Sequence, residues 1–364
     1  MVRIKIFPWF LIPAVFLISC LPSEKIDDEE VPQIRNVILL IGDGLGAPAT
    51  QAAMLVSSYP LNIERCTFTG FQKTSSSDNV ITDSGAAATA LATGTKTRNG
   101  SIGVDSDGNP VKTILEIAEE HGLSTGLVST SSITHATPAS FISHQASRFD
   151  YESIAMDFLK TDIDLFIGGG YDHFGKRTDH LNLIDSLIFR GYEVDTTMEQ
   201  VVNSLSDKIA GFVAHMHNPY RLNGRGDMLP SSTLKAIGVL DKCKAGFFLM
   251  IEGSEIDWAA HSNDADILID ETLDFDKAVG IALDFARIDG QTLVIVTADH
   301  ETGGVSISGG DMNNHKVTLS FSTTGHTGNM VPVYSYGQGA EKFKGIYENT
   351  DIFRKIVEAF GFEE

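Results

Sequence analysis

Three runs of apolar residues constrain this chain most. Val37-Ile38-Leu39-Leu40-Ile41, Phe247-Phe248-Leu249-Met250-Ile251 and Leu293-Val294-Ile295-Val296-Thr297 are continuous rather than alternating. A strand that is apolar at successive positions has both faces covered, as in a central parallel sheet with helices on either side. Each run also ends in an acid. Ile41 leads to Asp43, Ile251 to Glu252, and Thr297 to Asp299 and His300. One such acid is an ordinary turn residue. Three at the ends of buried strands point to a shared edge, because open α/β sheets bind ligands beyond their carboxyl ends.

Between these runs, helix-like and strand-like segments alternate. Helices are expected over residues 47–59, 84–92, 113–120, 138–146, 154–160, 181–190, 198–205, 232–241, 272–285 and 351–360. Further strands are expected over 123–129, 165–170, 192–194, 211–214, 317–321 and 331–336. The alternation predicts an α/β fold with a mostly parallel central sheet, layered as an αβα sandwich. Residues 172–177 and 218–230 read as polar surface loops. No repeat or internal linker divides the chain after residue 33.

The first residues carry different information. Arg3 and Lys5 precede an apolar run over 6–18, and Leu17-Ile18-Ser19-Cys20 has the form of a bacterial lipobox. The apolar run is short for a membrane span. Residues 1–19 therefore read as a lipoprotein signal peptide, with cleavage before Cys20 and a lipid on its sulfur. Residues 20–33 read as a tether and 34–364 as the folded domain. The expected location is outside the cytoplasm, in the periplasm or anchored in a bacterial envelope. Export would permit a disulfide between Cys66 and Cys243, and two buried thiols fit the sequence equally. The net charge of −21 argues against a nucleic-acid partner, which needs a basic face. It also means that an anionic substrate must find local positive charge.

Candidate chemistry clusters in four places. Thr82-Asp83-Ser84-Gly85-Ala86 places Ser84 at a helix start, where free N–H groups favour an anion; a simple helix cap is the other reading. Asp257 and His261 are spaced to share a helix face, which suits a zinc ion or an ordinary surface pair. Asp299-His300 sets a carboxylate beside an imidazole. Thr324-Gly325-His326-Thr327-Gly328 offers a further histidine in a glycine loop.

Taken in order, these motifs resemble those of alkaline phosphatases. The resemblance rests on Ile41-Gly42-Asp43-Gly44, on Thr82-Asp83-Ser84-Gly85-Ala86-Ala87-Ala88-Thr89-Ala90, on Glu252-Gly253 through Asp257 to His261, and on Asp299-His300-Glu301-Thr302-Gly303-Gly304. It runs from about residue 36 to the last helix and is weakest over 151–244. It implies an alkaline-phosphatase-like catalytic domain over 34–364 and a metal-dependent phosphomonoester hydrolase. Such an enzyme works through a phosphoserine on Ser84 and releases phosphate and an alcohol. One zinc would take Asp257, His261 and His326, and a second Asp43, Asp299 and His300. A third ion, usually magnesium, would share Asp43 and use Glu252, Thr137 and His135, in a stretch similar to the family's Thr134-His135-Ala136-Thr137-Pro138. Arg148, eleven positions after Thr137, matches the family's phosphate-clamping arginine. The resemblance leaves a homodimer open and implies no coenzyme.

Two departures qualify this picture. His135 stands where enterobacterial members carry aspartate, and imidazole is a softer ligand than carboxylate. Trp258 stands where they carry a lysine near the phosphate, which implies weaker retention of phosphate. Two other functions compete with the monoesterase. One is a phosphodiesterase or sulfatase of the wider superfamily, although the Ser84 motif does not resemble that of sulfatases. The other is a non-catalytic lipoprotein that binds phosphate or metal.

Overall fold

The strand β1 (Asn36–Gly42) is buried at every position. Val37, Leu39 and Ile41 enter one hydrophobic core, while Ile38 and Leu40 enter a second on the opposite face. The continuous apolar run is thus a two-sided strand. A computed structural model describes Met1 and residues 34–362. The chain divides into two units, Met1–Pro32 and Gln33–Glu364. Apart from Met1, the expected signal peptide, Cys20 and the tether lie outside the described residues. Among the described residues no helix is long and apolar enough to cross a membrane.

The remaining strands, in chain order, begin with β2 (Phe68–Lys73), β3 (Ser124–Ser132), β4 (Leu165–Gly169), β5 (Glu193–Asp195), β6 (Ile209–Phe212) and β7 (Phe247–Gly253). They continue with β8 (Thr292–Thr297), β9 (Glu301–Thr302), β10 (Val305–Asp311), β11 (Lys316–Phe321), β12 (His326–Thr327), β13 (Val331–Tyr336) and β14 (Gly345–Glu348). Ten of them form one sheet in the order β14-β2-β13-β8-β1-β7-β3-β4-β6-β5. Only β13 runs antiparallel to its neighbours β2 and β8. Helices cover both faces, so the expected αβα sandwich is the observed architecture. The strands β10 and β11 form a separate hairpin, and β9 and β12 a two-residue ladder.

The register aligns the strand ends that matter. Ile41 pairs with Glu252 on one side and with Thr297 on the other, and Glu252 pairs in turn with Ser129. The acids that follow therefore emerge side by side.

Several boundaries differ from expectation for identifiable reasons. The helix expected over 138–146 is a single turn, Ala136–Ala139. The chain then leaves helical geometry: Gln145 bridges to Ile102, and Gln145 Nε2 donates to Asp157 at 2.7 Å. Part of the expected loop 218–230 belongs to the helix Met228–Leu240. Pro230 lies in its first turn, where no N–H is required. The other expected loop, 172–177, overlaps the short helix Tyr171–Gly175, with His173 and Phe174 buried. Cys66 and Cys243 are both free.

Candidate active site

Ser84 is the first residue of the helix Ser84–Thr93, and the helix cap is its neighbour. Asp83 Oδ1 accepts from the Ala86 N–H at 2.9 Å. That frees the Ser84 hydroxyl from capping duty. Ser84 is buried, with Oγ 3.3 Å from His300 Nε2.

Around Ser84, among the described residues, the sheet edge assembles three sets of side chains that could hold a metal ion. They are Asp257, His261 and His326; Asp43, Asp299 and His300; and Asp43, His135 and Glu252, each with ligand atoms within 4.8 Å of one another. Asp43 follows β1, Glu252 ends β7, and Asp299 and His300 follow β8. Asp257 and His261 lie one turn apart on the helix Glu255–His261, and β12 brings in His326. Thr137, in the turn after His135, has a buried Oγ1 without a hydrogen-bond partner.

Neighbouring groups set the histidine tautomers. His261 Nδ1 faces the Thr324 carbonyl at 2.6 Å, and His326 Nδ1 faces the Thr82 carbonyl at 2.9 Å. Each Nδ1 is engaged by a carbonyl, which leaves Nε2 as the atom each ring would offer a metal ion. These two Nε2 atoms approach to 3.1 Å. Both also lie against the Asp257 carboxylate, at 3.3 and 3.6 Å, so one cation could meet all three side chains. On His300, Nε2 lies 3.1 Å from Asp299 Oδ2 and 3.5 Å from Asp43 Oδ1.

The acids fit divalent cations equally well. Both Asp43 oxygens, Asp299 Oδ2, Glu252 Oε1 and His135 Nδ1 are buried with no hydrogen-bond partner. A buried carboxylate without a partner is costly unless a cation neutralises it. The protein's own groups make the strain visible. Burial, then the charges of Asp299, Asp257 and Glu252, push Asp43 well above the usual carboxylate range. Burial likewise raises Glu252, against hydrogen bonds from Ser129 and Ser254, and lifts Asp299 to about 6. Burial also pushes Asp257 upward, but the hydrogen bond from His261, with the imidazoles around it, outweighs burial and holds that carboxylate below its ordinary value. The Asp257 hydrogen bond raises His261 to about 9. Burial, with the charge of His326, keeps His300 neutral; burial, with Arg148, does the same for His135.

Arg148 completes the site. Its Nη1 donates to Asp83 Oδ2 at 2.9 Å, and Nη2 lies 3.4 Å from His135 Nε2. Its side chain is only 11% exposed. The structure therefore brings together every site residue expected from the sequence. It adds supports for them, of which only Thr302 lies in a motif quoted from the sequence. Thr302 Oγ1 donates to Asp257 Oδ1 at 2.5 Å, and Ser129 Oγ donates to Glu252 Oε2 at 2.6 Å. His217 accepts from the Ser132 N–H through Nδ1 at 3.1 Å. Its ring stands edge-on to Trp258, with centroids 4.8 Å apart, and to His135 at 5.6 Å. Nothing in the local sequence signals His217, which lies in a loop far from the other motifs.

An αβα fold with a buried serine, an arginine and three cation sets at one sheet edge defines a class of metal-dependent hydrolases acting on phosphoryl groups. Comparison with known proteins narrows the class. A family model described as alkaline phosphatase matches residues 34–320 and 308–362. Alkaline phosphatase 4 of Bacillus subtilis (strain 168) is 35% identical over 89% of this chain and 88% of its own length. Alkaline phosphatase of Escherichia coli (strain K12) is 31% identical over 90% of this chain and 86% of its own. The structure of alkaline phosphatase from the Antarctic bacterium TAB5 superposes with a TM-score of 0.87. It is 41% identical, covering 92% of this chain and all of that one. A histidine-to-aspartate mutant of that enzyme has Mg bound in its M3 site. The chain belongs to the alkaline phosphatase family. It is a metal-dependent phosphomonoesterase, and the general mechanism of its family passes through a phosphoserine. The family uses two zinc ions and one magnesium ion.

Proposed function

We propose that Ser84 is the nucleophile, that Arg148 holds the phosphoryl oxygens, and that the three side-chain sets hold the cations. Asp257, His261 and His326 would hold one zinc, and Asp43, Asp299 and His300 the other. Asp43, Glu252, Thr137 and His135 would hold magnesium. The observation that carries this reading is the convergence of unpartnered buried carboxylate oxygens on a buried serine whose capping duty has passed to Asp83. When bound, the cations supply Lewis-acid activation of the hydroxyl and of water, and charge neutralisation of the leaving alkoxide. The protein's residues do the rest. Ser84 Oγ, whose proton passes to solvent, attacks phosphorus in line; the P–O bond to the leaving group breaks on the opposite face, and the alkoxide takes a proton from water to leave as the alcohol. Arg148, held from behind by Asp83, presents its planar fork to two phosphoryl oxygens. His300 Nε2 lies 3.3 Å from Ser84 Oγ, so the same ring that would hold a cation sits beside the nucleophile. Water then attacks the phosphoserine from the vacated side, so the two inversions give net retention.

Recognition centres on the phosphoryl group, which favours a broad range of monoesters over diesters. The motif at residues 17–20 supports export as a lipoprotein, with residues 1–19 removed, residues 20–33 as tether and 34–364 as the catalytic domain. Any membrane attachment would run through the lipid on Cys20, in the periplasm or on the envelope. Trp258, edge-on to His135 at 5.8 Å, places no cation beside the phosphate, which favours faster product release.

The test is a rate comparison on a nitrophenyl monoester and the matching diester, for wild type and Ser84→Ala. The expected result is a strong monoester preference that Ser84→Ala reduces by at least about a thousandfold. Near wild-type turnover in Ser84→Ala would refute the assignment.

A further inference from the structure

One two-residue segment outside the metal sets, Asn99-Gly100, grips both the nucleophile's turn and the arginine's turn. Asn99 Oδ1 accepts from the Asp83 N–H at 3.2 Å, and its Nδ2 donates to the Ile81 carbonyl at 2.9 Å. These bonds flank Thr82, whose carbonyl faces His326 Nδ1. The Gly100 N–H donates to Asp83 Oδ2 at 3.0 Å, the same oxygen that holds Arg148 Nη1. The Gly100 carbonyl accepts from the Arg148 backbone N–H at 2.7 Å. Asn99 is itself tied down, since its N–H donates to Asp78 Oδ1 at 3.1 Å. Gly100 has a φ of +88° with open space where a Cβ would stand, so the backbone conformation, not crowding, calls for glycine there.

These bonds have a common consequence. Residues 81–83 lead directly into Ser84, and each carries a backbone group bonded to Asn99 or faced by His326. The Arg148 turn is fastened to the next residue, Gly100. Ser84 and Arg148 are far apart in sequence and belong to different segments, yet both must address one phosphorus atom. Asn99 touches no reacting atom. We propose that Asn99 is a positioning residue for phosphoryl transfer, holding the Ser84 turn in register with the Arg148 fork. The proposal rests on the roles given above to Ser84 and Arg148. Positioning of this kind is worth much in rate, because a displacement of about 1 Å can cost about a hundredfold.

The experiment is a double-mutant cycle on the metal-loaded enzyme, using Asn99→Ala, Arg148→Ala and the double variant. It measures kcat and KM for a nitrophenyl monoester, inhibition by inorganic phosphate, and the melting temperature. Asn99→Ala is expected to lower kcat/KM by about tenfold or more and to weaken phosphate inhibition. In the Arg148→Ala background the same change should cost no more than about threefold, because the two act as a unit. Multiplying effects would overturn the proposal. So would an Asn99→Ala enzyme that melts earlier but keeps kcat and phosphate inhibition within about twofold, since that describes a purely structural residue. If Asn99→Ala does not fold, Asn99→Asp is read by the same criteria; it keeps the acceptor towards Asp83 and loses the donor towards Ile81. An Arg148→Ala enzyme with unchanged kinetics would overturn the site assignment itself. A normal loss at Arg148 with none at Asn99 would overturn the positioning role alone.

Discussion

Replacing Asp299 by asparagine should change stability in opposite directions with and without metal. Asp299 Oδ1 accepts from the Gly44 and His300 N–H groups at 3.1 and 2.9 Å, and an asparagine oxygen can keep both bonds. The other oxygen, Oδ2, is buried with no hydrogen-bond partner. Burial raises this carboxyl from 3.8 to about 6. A folded-state value above the unfolded one means that the native state binds the proton more tightly. Stability is therefore greatest below about pH 4 and is lost as pH rises towards 6. With the carboxylate ionised near pH 8, the cost is about 3 kcal/mol. Near pH 4.5 the same values leave about 1 kcal/mol. Asparagine avoids this cost, less whatever its new N–H groups lose through burial. In excess chelator near pH 8, Asp299→Asn should therefore unfold at higher urea than wild type, and the gap should narrow near pH 4.5. With zinc and magnesium restored the order should reverse, and monoesterase activity should collapse. A variant less stable than wild type in chelator near pH 8, or a gap independent of pH, would refute the reasoning.

Other consequences are as open to measurement. Arg225 is buried and donates to Glu271 Oε2 at 2.5 Å and to Asp274 Oδ2 at 3.0 Å; Arg225→Met strands two buried acids and should cost about 3–5 kcal/mol in urea unfolding. Gly44 has a φ of +71°, and a Cβ there would stand 2.7 Å from Thr302 Oγ1 and 2.9 Å from Asp257 Oδ1. Gly44→Ala should thus weaken zinc retention in a competition with chelator and lower the melting temperature together. Burial pushes the Cys66 thiol up to about 12, so in the native protein near pH 8 it should resist an alkylating reagent, and unfolding should expose it to modification.

The central sheet was legible because its strands are apolar on both faces. The run at residues 37–41 could only be covered twice, and the acid after it could only emerge at the sheet's edge. The same logic failed for β2. There Gly70 and Gln72 are buried while Phe71 is exposed, so the pattern runs opposite to a hydrophobic signal. Gly70 is buried because the Phe343 carbonyl would lie 2.2 Å from a Cβ at that position, a closeness that only tertiary structure reveals. In the site, the candidate ligands were legible through family motifs. Their supports were not. Ser129 reaches Glu252, and His217 reaches Ser132, His135 and Trp258, across long sequence separations, and common polar residues of this kind leave no pattern. The capping role of Asp83 was hidden for a different reason, since Asp83 and Ser84 are adjacent and both are good caps.

The two-residue ladder of β9 and β12 has a bearing on how the enzyme comes into being. It pairs His326 with Thr302 and Thr327 with Glu301. Too short to persist alone, it needs the surrounding domain to bring His326 opposite Asp257. On the ligand roles proposed above, the set of Asp257, His261 and His326 closes only once residue 326 has been made, and that of Asp43, Asp299 and His300 only once residue 300 has. Metal capture is then a late event in maturation, and it draws the equilibrium towards the finished protein. A nascent or C-terminally clipped chain that ends before His326 would lack one of the proposed ligands, so phosphatase activity is expected only after synthesis has passed that residue.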